Sequence, residues 1–268
     1  MEYNEAEGRM LQELMPALSA LLRQELNALH MAYAQLITPS QRENDPRVDL
    51  SAAKLDRSFY RLLRLANNLS DAELLAGEPA LLLQNIDLME LLGVLCRKAQ
   101  GPAALLGLTL DFVCRERACV AAVDKQLIER LLWNLLSNAM AATPAGGQLR
   151  VSLRVERDVV LLSVSDTGRG LDPELLTARP LARLQSVPDS GIGLGLPLCR
   201  RIAQLHGGTL LLTAREGEGS TVTVRLPLRR TEQQTREPAF DYTGGFNQAL
   251  MELADVLPEE AFTQRYLD

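Results

Sequence analysis

Apolar residues recur at three- and four-residue spacing from residue 9 to about 37: Leu11, Leu14, Leu18, Leu21, Leu22, Leu26 and Leu29. That period predicts one amphipathic helix. Thr38-Pro39-Ser40 stops it, and a polar loop containing Asn44-Asp45-Pro46 follows. The period returns from about Asp49 to Leu75, with Leu55, Phe59, Leu62, Leu63, Leu65 and Leu69 inward, until Gly77-Glu78-Pro79 ends it. Two long helices joined by a loop make an αα-hairpin. A lone hairpin cannot bury so wide an apolar stripe. The expectation is a homodimer through a four-helix bundle, the alternative being a hairpin packed on its own C-terminal domain.

From Asn85 the pattern becomes mixed. Ile86-Asp87-Leu88 reads as a short strand leading into a helix to about Gln100, and Leu108 to Val113 and Ala118 to Ala121 read as strands. Asp124 is placed as a helix N-cap, with Leu127, Leu131, Leu132, Leu135 and Leu136 as the buried face. Pro144-Ala145-Gly146-Gly147 is a turn between that helix and two alternating strands, Gln148 to Val155 and Asp158 to Ser165. Thr209 to Ala214 and Ser220 to Leu226 complete the strands, with a turn at Gly217 to Gly219.

Composition narrows the class. A hydrophobic content of 47% and a charged content of 23% are those of an ordinary globular protein. The net charge of −6 argues against nucleic acid as a partner. No apolar run approaches the roughly 18 residues needed to span a bilayer. The acidic start, Met1 to Glu7, is not a secretory signal, so a cytoplasmic location is expected. Cys96, Cys114, Cys119 and Cys199 form no C-x-x-C pair and there are only two histidines, which argues against structural zinc and for reduced thiols.

The candidate chemistry lies in three stretches. Gly191-Ile192-Gly193-Leu194-Gly195-Leu196 places glycine at every second position, which neither a helix nor a strand interior favours. Pro197 then fits a first helical turn, and Leu198, Ile202 and Leu205 share a face. A glycine loop feeding a helix N-terminus suits an anion such as phosphate. It is not a P-loop, because no Gly-Lys-Ser/Thr follows, and no strand leads into it as a dinucleotide fingerprint requires. Asp166-Thr167-Gly168-Arg169-Gly170 ends an apolar strand, and Asn134-Leu135-Leu136-Ser137-Asn138-Ala139 lies in a helical run. Asn134 and Asn138, four apart, share a helix face.

In this order the three stretches resemble the ATP-binding domain of histidine kinases, over about residues 85–228. The resemblance implies an α+β protein: a dimerising helical hairpin plus a two-layer α/β sandwich of the histidine kinase, topoisomerase and chaperone ATPase type. The implied domains are 1–78 for the hairpin, 79–230 for ATP binding, and 231–268 for a linker and tail helix. It also implies ATP and Mg²⁺ as cofactors. Asn138 would supply an oxygen to Mg²⁺ with Asn134 supporting it, and Asp166 would accept a hydrogen bond from the adenine amino group. Gly168 and Gly170 would let the backbone approach the base, Gly191, Gly193, Leu194 and Gly195 would form the phosphate loop, and Thr221 would lie near the adenine edge.

This chain departs from the family pattern in several places. The segment 171–190, the lid over the phosphates, has no phenylalanine. Ala141 and Ala142 stand where many kinases have a lysine and an aromatic residue, although Asn138 to Gly147 resembles another branch. Gln24-Glu25-Leu26-Asn27-Ala28-Leu29 is the best match to the phosphoacceptor motif, and it puts Gln24 where the histidine belongs. An amide is not a nucleophile at neutral pH, whereas imidazole is. Glu25 matches the acidic residue that would act on that imidazole. His30 lies six residues on and points about 120° away from Gln24. His206, in Leu-His-Gly-Gly, is placed as a helix-end cap. Asn134 occupies the position where ATP-hydrolysing machines of this fold carry a general-base glutamate.

In the tail, Phe246, Leu250, Leu253 and Leu257 form an apolar stripe, read either as a segment docked on its parent or as a peptide for a partner. The leading expectation is an ATP-binding relative of two-component sensor kinases, lacking autokinase activity, with a response-regulator-like partner. The alternatives are an active kinase using another histidine or a partner's, and a non-enzymatic dimeric scaffold.

Overall fold

The computed structural model describes residues 2–76, 79–170, 195–215, 217–232 and 246–267, with side chains from residue 17 to 68 and from 79 to 266 within those ranges. The chain divides into two compact units, residues 1–78 with 243–268, and residues 79–242. Among the described residues no helix is long and apolar enough to cross a membrane.

The first unit is built on α1 (Glu2–Leu36), α2 (Pro39–Asn44) and α3 (Pro46–Ala76). The loop expected at 39–45 is itself a helix. Thr38 Oγ1 accepts from Gln41 N while Gln41 Oε1 accepts from Thr38 N, which forms a capping box, and Pro39 takes the first helical position. The proline that ends α1 therefore starts α2. α3 has three faces. One meets α1: His30 stacks on Phe59 at 4.4 Å, and Ser19 Oγ donates to Ala66 O at 2.8 Å. A second carries the tail, α7 (Gln248–Leu253), a 3-10 helix (Glu259–Phe262) and α8 (Gln264–Leu267). Tyr60 packs on Phe246 and Phe262, and Asn67 reaches Met251. The third face leaves Leu55, Leu62 and Leu65 exposed.

One buried cation links hairpin to tail. Arg42 is 6% exposed and donates to Asp49 Oδ1 at 2.9 Å, Asp56 Oδ2 at 2.6 Å and Phe262 O at 2.7 Å. All three bonds are charge-assisted, which offsets removal of the guanidinium from water.

The second unit begins with β1 (Gln84–Asp87), α4 (Leu88–Leu105), β2 (Thr109–Cys114), β3 (Val120–Val123) and α5 (Lys125–Ala142). It continues through β4 (Gln148–Glu156), β5 (Val159–Asp166), α6 (Gly195–Leu205), β6 (Thr209–Arg215) and β7 (Gly219–Pro227). The large sheet has the order β2-β4-β5-β7-β6, antiparallel except for β2 against β4, and β1 pairs with β3 in a small sheet. Leu149, Val151, Leu153, Val160, Leu162, Val164, Val222, Val224 and Leu226 all point to the buried face, the period of two that the sequence carries. With α4, α5 and α6 on that face, the unit is a two-layer α/β sandwich.

Polar ties fix the ends of these elements. Asn85 Nδ2 donates to Thr231 O and Asn85 Oδ1 accepts from Thr231 N, so the strand that enters the unit holds the segment that leaves it. Asp124 caps α5 through Leu127 N. His206 Nε2 accepts from Asp124 N at 3.0 Å, and Nδ1 donates to Ile202 O at 2.8 Å. That pairing requires a neutral ring.

Burial pushes His206 below its ordinary 6.5, while the Ile202 bond and Asp124 act the other way. With a lowered folded pKa, its stabilising contribution is complete above 6.5 and is lost as pH falls through the folded value. The urea midpoint reported by Trp133, the one tryptophan, should fall between about pH 7.5 and about 5.5. His206→Gln, which does not titrate, should flatten that fall, and a pH-independent midpoint in the unaltered chain would exclude a stabilising role for the neutral ring.

Candidate nucleotide site

Asp166 closes β5 on its buried face, 9% exposed. Its Oδ1 accepts from Gly168 N at 2.9 Å and from Ser220 N at 3.2 Å. Both bonds fall on one oxygen, which leaves Oδ2 without a described protein donor. Burial raises this carboxyl from its ordinary 3.8, and the two backbone donors lower it in part. A held carboxylate with one uncommitted oxygen is suited to accept from a ligand N–H.

The loop after Asp166 is tied to the asparagine helix. A Cβ at Gly168 would collide with the carbonyl of Ala142, so only glycine allows that approach. Arg169 N donates to the same carbonyl at 3.2 Å. Ala142 lies one turn beyond Asn138 on α5. Gly170 has φ +79°, a conformation glycine adopts without strain.

Asn134 is 5% exposed, and its Nδ2 donates to Arg130 O at 2.9 Å, which turns Oδ1 outward from α5. Asn138 Nδ2 is buried with no partner among the described residues. Both face Gly195 at the start of α6: a Cβ there would lie 3.1 Å from Asn134 Oδ1 and 3.4 Å from Asn138 Nδ2. The glycine-helix start, the two asparagines and the aspartate loop therefore converge. Gly191, Gly193, Leu194 and the expected lid lie outside the described residues.

Thr221 is not brought to this cluster. It is paired with Ser165, and its Oγ1 donates to Ser165 Oγ at 2.9 Å on the opposite sheet face from Asp166. Ser220, 4% exposed, stands opposite Asp166 in register. The signal was in the sequence: Ser220 is in phase with Val222, Val224 and Leu226, and Asp166 with Val164 and Leu162.

The donor set suits a metal carried by a nucleotide. Among the described residues no group of three or more His, Cys, Asp or Glu could hold an ion alone. The unpartnered group, Asn138 Nδ2, is a donor suited to a phosphate oxygen, and the amide oxygen of the same side chain is the type of ligand that magnesium takes in small number beside phosphate and water.

Gln24 and Glu25 belong to the other unit, both exposed on α1. His30 turns inward between Phe59 and Phe246, its Nδ1 buried without a partner among the described residues.

Residues 123–230 match the family described as histidine kinase-, DNA gyrase B-, and HSP90-like ATPase. The sensor protein DivL of Caulobacter vibrioides is 35% identical over 71% of this chain and 24% of its own length. The histidine protein kinase DivJ of the same organism is 34% identical over 66% of this chain and 30% of its own. The chain thus spans less than a third of these relatives. Full-length ShkA, crystallised in complex with AMPPNP, superposes with a TM-score of 0.62 at 26% identity, over 84% of this chain and 47% of that one. The buried aspartate loop, the paired asparagines and the glycine-led helix stand within or beside that matched segment, and the chain belongs to the sensor histidine kinase family.

Proposed function

We propose that residues 79–230 bind ATP with Mg²⁺ and that the chain signals in a two-component system without phosphorylating itself. The observation that carries this reading is Asp166, whose Oδ1 is held by two backbone donors while Oδ2 stays uncommitted. Oδ2 accepts a hydrogen bond from the adenine 6-amino group, where guanine carries a carbonyl and offers no donor. Ser220 rather than Thr221 stands beside it. Asn138 would hold the nucleotide's Mg²⁺ through its amide oxygen, and the ion would neutralise phosphate charge when bound. Asn134 keeps that amide in place, and as an amide it cannot take a proton from water.

Gln24, exposed at the phosphoacceptor position, supports the absence of autokinase activity, and the buried Nδ1 of His30 supports the same conclusion. Incubation with γ-labelled ATP should leave the chain without acid-labile, base-stable label, while Mg-ATP binding is detected by calorimetry. Label of that kind would overturn the non-kinase reading. Absent binding would favour the scaffold.

The hairpin serves as the dimer surface. Leu22, Leu29 and Leu36 on α1 and Leu55 and Leu62 on α3 are exposed at seven-residue spacing, the pattern of a packed helical seam. Light scattering should give a dimer for the unaltered chain and a monomer for Leu29→Glu with Leu62→Glu. A monomeric unaltered chain would exclude this interface. The ATP-bound dimer acts on a response-regulator-like partner in the cytoplasm.

A further inference from the structure

The tail lies on a face of α3 where charged and polar residues stand beside apolar ones. Ala53, Tyr60 and Asn67 recur there every seven residues, and Ala53 is fully buried, so an incoming segment can approach the helix closely. Beside them stand cations: Arg64 meets Asp255 at 2.8 Å, Arg61 meets it at 3.4 Å, and Lys54 faces Glu259 at 3.9 Å. Residues 246–267 carry four acidic residues, Glu252, Asp255, Glu259 and Glu260, against the single base Arg265, so segment and face are complementary in charge. Apolar anchors complete the fit: Phe262, Leu253 and Leu257 are fully buried, and Phe246 packs against His30, Phe59 and Tyr60.

Two polar side chains against the tail, Asn67 and His30, hold buried atoms without hydrogen-bond partners among the described residues. Asn67 is 6% exposed; among the described residues its Oδ1 has no partner and its Nδ2 donates to the thioether of Met251 at 3.4 Å. His30 Nδ1, beside Phe246, is buried without a partner among the described residues. Each such group disfavours the docked state, and interfaces that open carry more polar groups than obligate ones.

We propose that residues 246–267 are a releasable latch, and that the α3 face beneath them is a docking groove for an acidic helical segment with phenylalanine anchors. The tail fills it in cis, and a partner segment of the same chemistry fills it in trans.

The test uses the full chain and a labelled peptide of residues 246–267. Asp255→Arg in the chain sets a third guanidinium against Arg61 and Arg64, which loosens the resident tail and leaves the groove intact. The peptide should bind this variant at least tenfold more tightly than the unaltered chain, and a peptide bearing the same change should not bind. Hydrogen exchange in the unaltered chain should show the amides of 248–262 at least tenfold less protected than those of α3 from 59 to 66. Equal protection of the two segments, loss of α3 protection in Asp255→Arg, or a folded Asp255→Arg chain that takes no peptide would each overturn the latch.

Discussion

Asp166→Asn is expected to weaken Mg-ATP binding about 100-fold while the fold survives. The two backbone donors at Oδ1 select the asparagine oxygen for that position, so the loop to Gly168 and the pairing to Ser220 persist. The new –NH₂ then replaces Oδ2 and confronts the adenine amino group, donor against donor. Loss of a buried bond with a group left unsatisfied costs about 3 kcal/mol, and 1.4 kcal/mol is tenfold in affinity. Gly168→Ala should behave differently, because the collision with the Ala142 carbonyl damages the loop itself. Calorimetry beside thermal melting separates the two. An Asp166→Asn chain that melts normally and binds with unchanged affinity would remove Asp166 from the site.

Arg42→Ala should have the largest effect on stability, about 3–5 kcal/mol from the helical unit. It leaves Asp56, 2% exposed, without its cation and Phe262 O without its donor. Burial already raises the Asp56 carboxyl, and Arg42 opposes that rise through its hydrogen bond and charge. Arg42→Met with Asp56→Leu should cost less than Arg42→Ala alone, because no charge is left stranded. Urea unfolding followed by far-ultraviolet circular dichroism measures both. A loss under about 1 kcal/mol for Arg42→Ala would show a pair no stronger than a surface one.

Local signals carried much of the architecture. The three-to-four spacing of the leucines yields α1 and α3, and strict alternation yields β4, β5 and β7, because one face of each is buried. The capping box of Thr38 and Gln41 was equally local, but the proline beside it reads first as a breaker. At the candidate site, alternation carried to the end of β7 puts Ser220 and not Thr221 on the sheet face of Asp166. By contrast, nothing within residues 246–262 points to a helix nearly two hundred positions earlier. Nor can an arginine's own neighbours show that Arg42 is buried, since its partners Asp56 and Phe262 are distant in sequence.

The helical unit is interrupted by the whole of the nucleotide unit, and this governs its assembly. As the chain leaves the ribosome, α2 and α3 are made early, yet Arg42 must await a carbonyl 220 residues downstream. At about 5–20 residues per second that interval is roughly 10 to 40 seconds. Throughout it Tyr60 lacks Phe246 and Phe262 and the guanidinium lacks one of its three acceptors, which is when a chaperone, or a second nascent hairpin, has its opportunity.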